Sequence, residues 1–585
     1  MSISNPHHNP QVMNGPTTPF SQFLHADKYR AEGESFDEST NRIASALTDG
    51  TREQFLRFRG ILRDMRFMPA GRIQSAVGST RNVTAYNCFV SGIIDDSFVD
   101  GEGCIMDRAK EAAQTMRMGG GIGYDFSRLR PRGATIKKLG SKSSGPVSFM
   151  QIYNSVCQCI ASSGHRRGAQ MGVLRVDHPD IEEFIHVKQE KGVLEGFNLS
   201  IGILDSFMEA VEADGTFDLQ WGGEVYSTIN ARALWEKIMR STWDWGEPGV
   251  LFLDTMNKQN NLYYCEQLEA TNPCGEQPLA PYAACLLGSF NLTQYIRYAP
   301  NDDDHPDAIE RAFDWDQFQA DIAPVVRAMD RVIDISSYPL PQQEVEAKNK
   351  RRMGLGITGL ANAGEALGYR YGSEQFLMFE ERVLMLLRDE AYYASCELAH
   401  ELGSFPLFDS ELFLAGAFAQ TLPPVLRKAI ELDGLRNSHL ISIAPTGTIS
   451  LCADNVSSGI EPVFSTSVTR TVQTFDGPTE QLIEDYGFAT WGVEPTECKD
   501  VTASEHLAVL LMAQRFTDSA VSKTCNVSPQ MKWSDFKQIY MDAWKGGAKG
   551  CTTFNPEGKR MGILKAEPTE GSCEINPETG RSDCQ

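Results

Sequence analysis

Residues 272–276 read N-P-C-G-E and place an amide, a thiol and a carboxylate at positions i, i+2 and i+4. Pro273 has no amide proton and biases Asn272 toward extended geometry, and in an extended chain alternate side chains point to the same side. The stretch therefore predicts a short loop that presents all three groups to one small molecule. An ordinary Pro-Gly turn that happens to contain a cysteine is the alternative on these residues alone.

The composition places the chain among soluble globular proteins. It has 585 residues, of which 41% are hydrophobic and 22% charged, so a large core can form. Length alone allows one large catalytic domain or about three to four ordinary ones. The net charge of -23 argues against non-specific DNA or anionic membrane binding, because both depend on dense lysine and arginine. We therefore expect no nucleic-acid partner and no membrane partner.

Cysteine usage points to redox chemistry or to buried packing. No apolar run of about eighteen residues occurs and the N-terminus lacks signal-peptide features, so we expect a cytoplasmic protein, or the host cytoplasm if the source is viral. The 14 cysteines are then expected as thiols, and a disulfide would be transient and catalytic. No C-x-x-C occurs and the histidines lack zinc spacing, so no metal site is predicted.

The chain divides into four predicted parts. Residues 1–20 have no hydrophobic period and predict a disordered tail, and residues 21–66 carry apolar residues at helical spacing, which predicts a small helical segment. From residue 67 to 560 helical and strand-like pieces alternate, which predicts a mixed α/β domain with one large sheet or barrel. Residues 561–585 lose all periodicity and predict a flexible tail.

Several loops are candidates for ligand contact. Residues 119–126, G-G-G-I-G-Y-D-F, let backbone approach either a neighbouring strand or a ligand. Two basic islands, 128–148 and 162–175, offer arginine forks that suit phosphate, although solvated loop arginines are the alternative. Residues 441–450, I-S-I-A-P-T-G-T-I-S, predict a strand-to-helix turn whose amides and hydroxyls bind phosphate, with simple helix capping as the alternative.

One glycine motif is a decoy for dinucleotide binding. Gly354, Gly356 and Gly359 match G-x-G-x-x-G, but they follow K-N-K-R-R-M rather than an apolar strand. No acidic ribose partner stands about twenty residues further on, and no Walker A sequence occurs. The sequence therefore disfavours a Rossmann site.

The chain resembles the catalytic subunit of ribonucleotide reductase. The resemblance rests on N-P-C-G-E, on Cys88, on Cys285 eleven residues beyond Cys274, and on a cysteine-bearing tail. It covers roughly residues 60–560 and includes R-R-M-G-L-G-I-T-G-L-A and A-P-T-G-T-I-S in the family's order. It implies a ten-stranded α/β barrel with the N-P-C-G-E loop as a finger through its centre, and an enzyme that reduces ribonucleoside di- or triphosphates to 2'-deoxyribonucleotides.

The resemblance implies a role for each active-site residue. Cys274 would carry the thiyl radical that removes the 3'-hydrogen of the ribose, Glu276 would accept the 3'-hydroxyl proton, and Asn272 would orient the substrate. Cys88 and Cys285 would protonate the departing 2'-hydroxyl and supply two electrons, ending as a disulfide. The resemblance also implies this substrate-binding set: Asn87, Gly121, Ala444, Pro445, Thr446, Gly447 and Thr448.

The tail would reduce that disulfide. Cys573 and Cys584 could do so by thiol exchange, although they depart from the close C-x-x-C pair of many family members. A flexible tail of 25 residues spans roughly 25–30 Å on average and about 80–90 Å at most, so it can reach a buried site. A thioredoxin or glutaredoxin-type protein would be the external reductant.

Allosteric nucleotides are implied as well. Deoxynucleotide or ATP effectors would bind a set of loop residues: Asp96, Ser97, Arg132, Ser163, Arg166 and Arg167. We expect a homodimer, because no large insertion near these loops replaces a partner. Too few residues precede the barrel motifs for the ordinary N-terminal activity domain, so we expect that dATP does not shut the enzyme down.

The absence of a tyrosine pair near the end of the predicted barrel indicates the class of reductase that the chain resembles. Residues 550–556 read G-C-T-T-F-N-P, without the adjacent tyrosines that carry the radical in class I. The segments P-A-G-R and R-R-G-A-Q-M resemble those of class II enzymes, in which adenosylcobalamin generates the thiyl radical directly. No glycyl-radical segment of class III is apparent. The alternatives are a class I large subunit with a separate radical-generating subunit, and a non-catalytic nucleotide-binding relative.

Overall fold

The computed structural model describes residues 13–136, 140–162, 166–167, 169–190, 192–298, 312–474, 477–559, 574–576 and 581–583. Ser163, Cys573 and Cys584 lie outside the described residues, and for Arg166 and Arg167 the structure describes the backbone. Of the segment predicted as a flexible tail, residues 574–576 and 581–583 are described, and they pair as two short antiparallel strands.

Helices occur along the whole described chain. Their bounds are Pro19–Tyr29, Phe36–Leu47, Arg52–Arg63, Gly71–Ala76, Ile105–Arg117, Pro146–Cys159, Ile181–His186, Asp205–Glu212, Ala231–Trp245, Leu253–Lys258, Trp315–Ile335, Pro341–Lys350, Leu360–Ala366, Glu374–Leu402, Ser410–Ala415, Pro424–Asp433, Gly447–Cys452, Tyr486–Trp491, Ala503–Arg515 and Trp533–Lys545. Short 3-10 helices are Val187–Gln189, Leu292–Tyr295, Ala419–Thr421 and Cys498–Asp500. Within the described residues, no helix combines the length and apolar composition needed to cross a membrane.

The strands alternate with these helices. In chain order they are β1 Phe67–Pro69, β2 Cys88–Val90, β3 Gly121–Asp125, β4 Thr135–Ile136, β5 Ser141–Lys142, β6 Ala161–Ser162, β7 Arg166–Arg167, β8 Gln170–Arg175, β9 Phe197–Ile203, β10 Thr216–Trp221, β11 Glu224–Asn230, β12 Gly249–Phe252, β13 Ala270–Thr271, β14 Pro278–Leu279, β15 Ala284–Cys285, β16 Leu287–Asn291, β17 Gly354–Thr358, β18 Ser467–Thr474, β19 Gly477–Glu484, β20 Thr524–Asn526, β21 Gly550–Phe554, β22 Glu574–Asn576 and β23 Arg581–Asp583.

The first three helices lie where the sequence predicts a helical segment. Each begins at a hydroxyl residue, Thr18, Ser35 or Thr51, whose side chain accepts a hydrogen bond from a backbone amide of the first turn. Such N-caps satisfy amide groups that the helix itself leaves unpaired. The part of the predicted tail that is described is docked, because Thr17 and Thr18 both donate hydrogen bonds to the carboxylate of Asp454.

A large sheet organises the fold. Its eight strands follow the order β15-β2-β3-β8-β9-β12-β21-β20. The five central strands, from β2 to β12, run parallel to one another, while β15 and β21 are antiparallel to their neighbours β2 and β12. The mixed α/β fold predicted from the alternating pattern is confirmed.

The two faces of this sheet contact different partners. Strand β9 shows the difference, because Phe197, Leu199 and Ile201 pack in a core that includes Tyr153 of the helix Pro146–Cys159. On the opposite face, residues such as Cys88, Val90, Met171 and Val173 form a second cluster with Ala270 and Leu279. Alternate residues of a strand point to opposite faces, so β9 turns Asn198, Ser200 and Gly202 toward the second cluster.

A smaller sheet lies on the other side of that second cluster. It has three strands in the order β1-β16-β17, and Leu287 of β16 belongs to the same cluster as Cys285 of β15. Parallel bridges from Leu355 to Ile441 and from Ile443 to Val521 extend it toward β20. The two sheets are thus joined by the chain at β15–β16 and again just before β20.

Strands β13 and β14 form a hairpin between the two sheets. Ala270 pairs with Leu279 and Thr271 with Pro278, so the N-P-C-G-E stretch forms the tip. Ala270 and Leu279 are both nearly fully buried, with exposed fractions of 1% and 0%. Their burial against strands of both sheets fixes the position of the tip.

The G-x-G-x-x-G residues serve close packing. Gly354 and Gly356 lie within β17 itself, and a Cβ on Gly354 would be 2.5 Å from Nε2 of Gln277. A Cβ on Gly356 would be 2.5 Å from the carbonyl oxygen of Ser442. The glycines therefore let the hairpin and residues 441–443 approach β17, rather than forming a phosphate loop after a strand.

Candidate active site

The tip of the hairpin is a tight turn. The amide of Gly275 donates to the carbonyl of Asn272 at 3.1 Å, and Gly275 has a φ of 85°. The amide of Gln277 donates to Oδ1 of Asn272 at 3.0 Å. The extended geometry expected for residues 272–276 is therefore wrong, because glycine in the left-handed region and the Asn272 side chain turn the chain back.

Three cysteines and a glutamate predicted to act together do lie together. Cys285 of β15 and Cys88 of β2 are cross-strand partners and form no disulfide. Burial raises the pKa of the Cys285 thiol well above its ordinary value, and the negative charges of Glu276, Cys88 and Cys274 raise it further. Charges act in this way only over short distances, so the four side chains share one site. At neutral pH Cys285 is a protonated thiol.

Burial separates the members of this site. Cys88, Cys285 and Glu276 expose 5%, 0% and 2% of their surface, whereas Cys274 is half-buried. The backbone of Glu276 is held from the other side, where its carbonyl accepts from the amide of Ala520 and from Oγ of Ser442, each at 2.9 Å. The Cys88–Cys285 pair is therefore enclosed, while the thiol of Cys274 at the tip is accessible.

Glycines of β3 bring the hairpin close to the large sheet. A Cβ on Gly121 would be 3.1 Å from Sγ of Cys88 and 3.2 Å from Cγ of Pro273. A Cβ on Gly123 would be 1.8 Å from the carbonyl oxygen of Thr271, which is a forbidden contact. Of the two readings of residues 119–126, the structure therefore supports close approach to neighbouring chain, and that chain is the hairpin.

Two buried amide groups point to a ligand. Nδ2 of Asn272 and Oδ1 of Asn87 have no hydrogen-bond partner among the described residues, and Asn272 is only 1% exposed. Asn87 adjoins the Cys88–Cys285 pair, because its backbone amide donates to the backbone carbonyl of Cys285 at 3.3 Å. Buried polar groups are normally satisfied, so these atoms fit the hydroxyl groups of a bound molecule or an ordered water.

The predicted phosphate segment borders the same cluster. Ala444 packs with Cys88 and Cys285, and a helix begins at Gly447. Oγ1 of Thr446 accepts from the amide of Gly459 at 2.7 Å and lies 2.9 Å from Oγ1 of Thr358. Pro445, Gly447 and Thr448 are partly exposed. The hydroxyl of Thr446 therefore holds the loop in shape, while its neighbours remain accessible.

The fully described members of the predicted effector set, Asp96, Ser97 and Arg132, lie in a second region. Arg130 donates from its backbone amide and from Nε to the carboxylate of Asp96, at 3.0 and 2.6 Å. Arg132 binds Glu183 through both Nε and a terminal nitrogen. Ser97 accepts from the amide of Asp100 at 3.1 Å. The described part of the chain thus gives Asp96 and Arg132 ionic partners of their own.

One ion pair links this second region to the hairpin. Arg128 donates to both carboxylate oxygens of Glu269, at 2.9 and 3.1 Å, and Glu269 directly precedes β13. Arg128 is only two residues from Arg130. The second region is therefore connected to the hairpin through the Arg128–Glu269 ion pair.

Buried charges that sequence reasoning left unassigned lie under the hairpin. Glu266 accepts from Arg352 at 2.8 and 2.9 Å and from Nζ of Lys350 at 2.7 Å. Coulomb attraction to both cations outweighs burial and lowers the pKa of Glu266. Arg352 also approaches the carbonyl of Pro278 at 3.5 Å. The sequence feature that could have indicated this cluster is K-N-K-R-R-M, directly before the buried strand β17. Buried cations at such a position require buried carboxylates as partners.

Two further residues of interest were missed. Arg130 lies in the first basic island but outside the predicted effector set, although it is the residue that binds Asp96. Asn198 donates from Nδ2 to the carbonyl of Pro273 at 3.1 Å. Its signal was the alternation F-N-L-S-I-G-I, because a parallel strand buried on both faces normally has a continuous apolar run. Small and polar residues on one face indicate a cavity on that side.

No metal cluster accompanies these groups. Among the residues that the structure describes, no three His, Cys, Asp or Glu side chains are arranged to hold a metal ion.

Comparison with known proteins identifies the family. Residues 86–487 and 472–554 match the family described as ribonucleotide reductase, barrel domain. A vitamin B12-dependent ribonucleoside-diphosphate reductase of Mycobacterium tuberculosis is 35% identical over 93% of this chain and 79% of its own length. A protein of the same name from Thermoplasma acidophilum is 33% identical over 88% of this chain and 66% of its own. A vitamin B12-dependent ribonucleotide reductase of Streptomyces coelicolor is 26% identical over 82% of this chain and 57% of its own. Cys88, Cys274 and Cys285 all lie within the matched residues, and the chain belongs to the ribonucleotide reductase family.

Proposed function

We propose that this chain is an adenosylcobalamin-dependent, class II ribonucleotide reductase that converts ribonucleotides to 2'-deoxyribonucleotides in the cytoplasm. The observation that carries the proposal is the shared site of Cys274, Glu276 and the cross-strand pair Cys88–Cys285. The B12-dependent names of the relatives support the class, and two of those names specify diphosphates, which favours diphosphate substrates. The same names disfavour the alternative of a class I large subunit, and a non-catalytic relative is the other alternative to be tested.

The proposal includes a closed barrel. Two sheets, of eight and three strands, that share the β15–β16 chain at one edge and approach again before β20 support closure into an α/β barrel, for which the family resemblance implies ten strands. The hairpin of β13 and β14, buried against strands of both sheets, would be the finger through its centre.

The hairpin residues would begin the reaction. Cys274 as a thiyl radical takes the 3'-hydrogen of the ribose, and Glu276 takes the proton of the 3'-hydroxyl. The free Nδ2 of Asn272 supports its role in orienting a ribose hydroxyl, because its Oδ1 is already occupied by the hairpin.

The cysteine pair would complete the reduction. The 2'-hydroxyl leaves as water after it has accepted a proton. Over the whole reaction Cys88 and Cys285 supply two protons and two electrons and become a disulfide. Cys274 then recovers its radical when the 3'-hydrogen returns. The direct cross-strand pairing of Cys285 with Cys88 supports this role, because it places the two residues that must form the disulfide side by side.

The tip offers room for a radical-generating group. A Cβ on Gly275 would meet no atom within 4 Å, whereas the glycines of β3 are tightly packed. Cys274, Gly275 and the exposed Asn198 border this opening and would contact adenosylcobalamin, which supplies an organic radical when bound. Residues 550–556, G-C-T-T-F-N-P, contain no pair of tyrosines, so this strand would lack the carriers of a class I radical relay.

Substrate phosphates would bind at residues 444–448. The first-turn amides of the helix Gly447–Cys452 and the hydroxyl of Thr448 support this assignment. Asn87 and Gly121 would border the ribose beside Cys88.

Effector nucleotides would bind the second region. Deoxynucleotides or ATP would contact Asp96, Ser97 and Arg132 together with Ser163, Arg166 and Arg167. Arg128–Glu269 supplies a physical connection from these loops to the hairpin. The apolar side chains of Phe98, Val99 and Met106, which are 50%, 61% and 40% exposed, support a homodimer at this face.

The tail cysteines would reset the enzyme. Cys573 and Cys584 would reduce the Cys88–Cys285 disulfide and would themselves be reduced by a thioredoxin or glutaredoxin-type protein. Replacing either tail cysteine by serine should abolish turnover with thioredoxin but preserve it with a small dithiol. Normal turnover with thioredoxin in both variants would refute the tail role.

An anaerobic assay tests the whole proposal. The purified chain is incubated with adenosylcobalamin, a dithiol and each ribonucleoside di- or triphosphate, without a second protein. Formation of deoxynucleotide supports class II and identifies the phosphate state. Turnover only after addition of a radical-generating subunit would establish class I, and ligand binding without turnover under either condition would establish the non-catalytic alternative.

A further inference from the structure

Two rows of residues on the large sheet face the hairpin. In the first row, Cys285, Cys88 and Gly121 pair directly across β15, β2 and β3. The second row lies two residues further along the strands and runs across β2, β3, β8 and β9: Val90, Gly123, Met171 and Asn198. Because side chains two apart share a face, both rows point toward the hairpin.

Each row supports a different part of the hairpin. Gly121 of the first row lies under the Pro273 ring, and Gly123 of the second row lies under the Thr271 carbonyl. Neither glycine can donate a side-chain hydrogen bond, so they set only how closely the hairpin approaches. Asn198, at the end of the second row, adds a directional contact because its Nδ2 donates to the Pro273 carbonyl at 3.1 Å.

The contact acts on the peptide that carries the tip thiol. The Pro273 carbonyl belongs to the peptide bond that joins Pro273 to Cys274, so holding it restricts the rotation of that peptide and the direction of the thiol. The tip turn itself is closed by Asn272 and Gly275. Those bonds fix the shape of the turn but do not tie it to the large sheet.

We infer that Asn198 is a positioning residue that orients Cys274 toward the Cys88–Cys285 pair by holding the Pro273 carbonyl. The inference rests on the proposed role of Cys274. Asn198 is exposed to the opening at the tip, so its replacement leaves no buried cavity, and variants should fold. Losing one such hydrogen bond shifts a local equilibrium by about two- to tenfold.

Alkylation of Cys274 tests the inference without cofactor or substrate. The reduced full-length chain is treated with iodoacetamide, and the rate at each cysteine is measured by mass spectrometry, with exposed Cys159 as the internal reference. Asn198→Ala and Asn198→Asp should both change the Cys274 rate by about two- to tenfold while Cys159 is unchanged. Ser200→Ala, on the same face of the same strand, should match the wild type. An unchanged Cys274 rate in both Asn198 variants would overturn the inference.

Kinetics separate positioning from mere space filling. Asp has the size of Asn but presents a carboxylate that repels the Pro273 carbonyl, so kcat should fall at least as far in Asn198→Asp as in Asn198→Ala, with the nucleotide KM changed less than kcat. A wild-type kcat in Asn198→Asp would contradict the inference. Failure of the proposed function would instead appear as full activity of Cys274→Ser, whatever Asn198 does.

Discussion

The hairpin site and the loops around Arg130 and Arg132 differ in whether their polar groups have partners. At the hairpin, Nδ2 of Asn272 and Oδ1 of Asn87 are enclosed and lack partners among the described residues. In the loops, Arg128, Arg130 and Arg132 each bind a carboxylate, and the side chain of Arg132 is 54% exposed. The first region is already shaped for a neutral polar ligand, whereas the second must exchange a carboxylate for a phosphate before it can hold an anion.

The contrast follows from burial. At the hairpin site, burial raises the pKa of the Cys285 thiol well above its ordinary value. An exposed ion pair such as Arg132–Glu183 is screened by water and contributes little to stability. A substitution that changes charge or shape should therefore change turnover and the free energy of unfolding more at the hairpin than in the loops.

The largest effect is expected at the tip of the hairpin. Cys274→Ser keeps the shape of the side chain but cannot form a thiyl radical, so turnover should fall by about 10³-fold or more. Deoxynucleotide formation and substrate binding are measured side by side, and binding should persist. Cys159→Ser, at an exposed cysteine, is the control. A Cys274→Ser enzyme that keeps a tenth of wild-type activity would remove the radical role.

The glycine rows should show a graded steric effect. Gly123→Ala places a Cβ 1.8 Å from a backbone oxygen, and should lower the free energy of unfolding by about 2–3 kcal/mol and reduce turnover. Gly121→Ala meets atoms at 3.1–3.2 Å and should cost about 1 kcal/mol. Denaturant titration and turnover are measured for both. Equal stability of the two variants would show that the hairpin is not seated on Gly123.

A pH effect should arise where the two regions meet, at Asp125 at the end of β3. Burial raises the pKa of Asp125 from 3.8 to about 6, with a further contribution from Glu269, while Ser127 opposes the shift. The folded chain therefore binds this proton more tightly than the unfolded chain, and the free energy of unfolding falls as pH rises from about 4 to about 6.

Asp125→Asn should remove this dependence. Relative to the variant, the wild type should lose about 1–3 kcal/mol of stability between pH 4 and pH 6.5. Denaturant titrations of both proteins across this range measure the difference, and other titrating groups cancel in the comparison. Parallel pH curves for the two proteins would contradict the shift.

The smallest effect is expected in the loops. Arg132→Ala should change the free energy of unfolding by less than about 1 kcal/mol, because its ion pair with Glu183 is largely exposed. If Arg132 binds effector phosphate, the same variant weakens effector binding, whereas Glu183→Gln frees the guanidinium and strengthens it. Calorimetry with a deoxynucleotide measures both. Equal affinities in the two variants would exclude Arg132 from the effector site.

The family resemblance explains why much of the site could be predicted. It singled out N-P-C-G-E, Cys88 and Cys285 together, and the structure places these residues next to one another. The glycines of residues 119–126 could be recognised as points of close approach, but the sequence left open whether a strand or a ligand approaches. Asn198 and Arg352 were missed because their importance depends on partners 75 and 86 residues away in the chain.

Periodicity, which is local, determined from the sequence alone the mixed α/β class, and the order of several short motifs carried the family resemblance, which in turn implied the candidate residues of the reaction. The tertiary structure decided that the tip is a turn, that glycines of β3 seat the hairpin, and that Cys285 is held as a thiol by burial. These properties depend on packing between distant segments, since a close contact, an enclosed volume or a shifted pKa exists only once those segments meet.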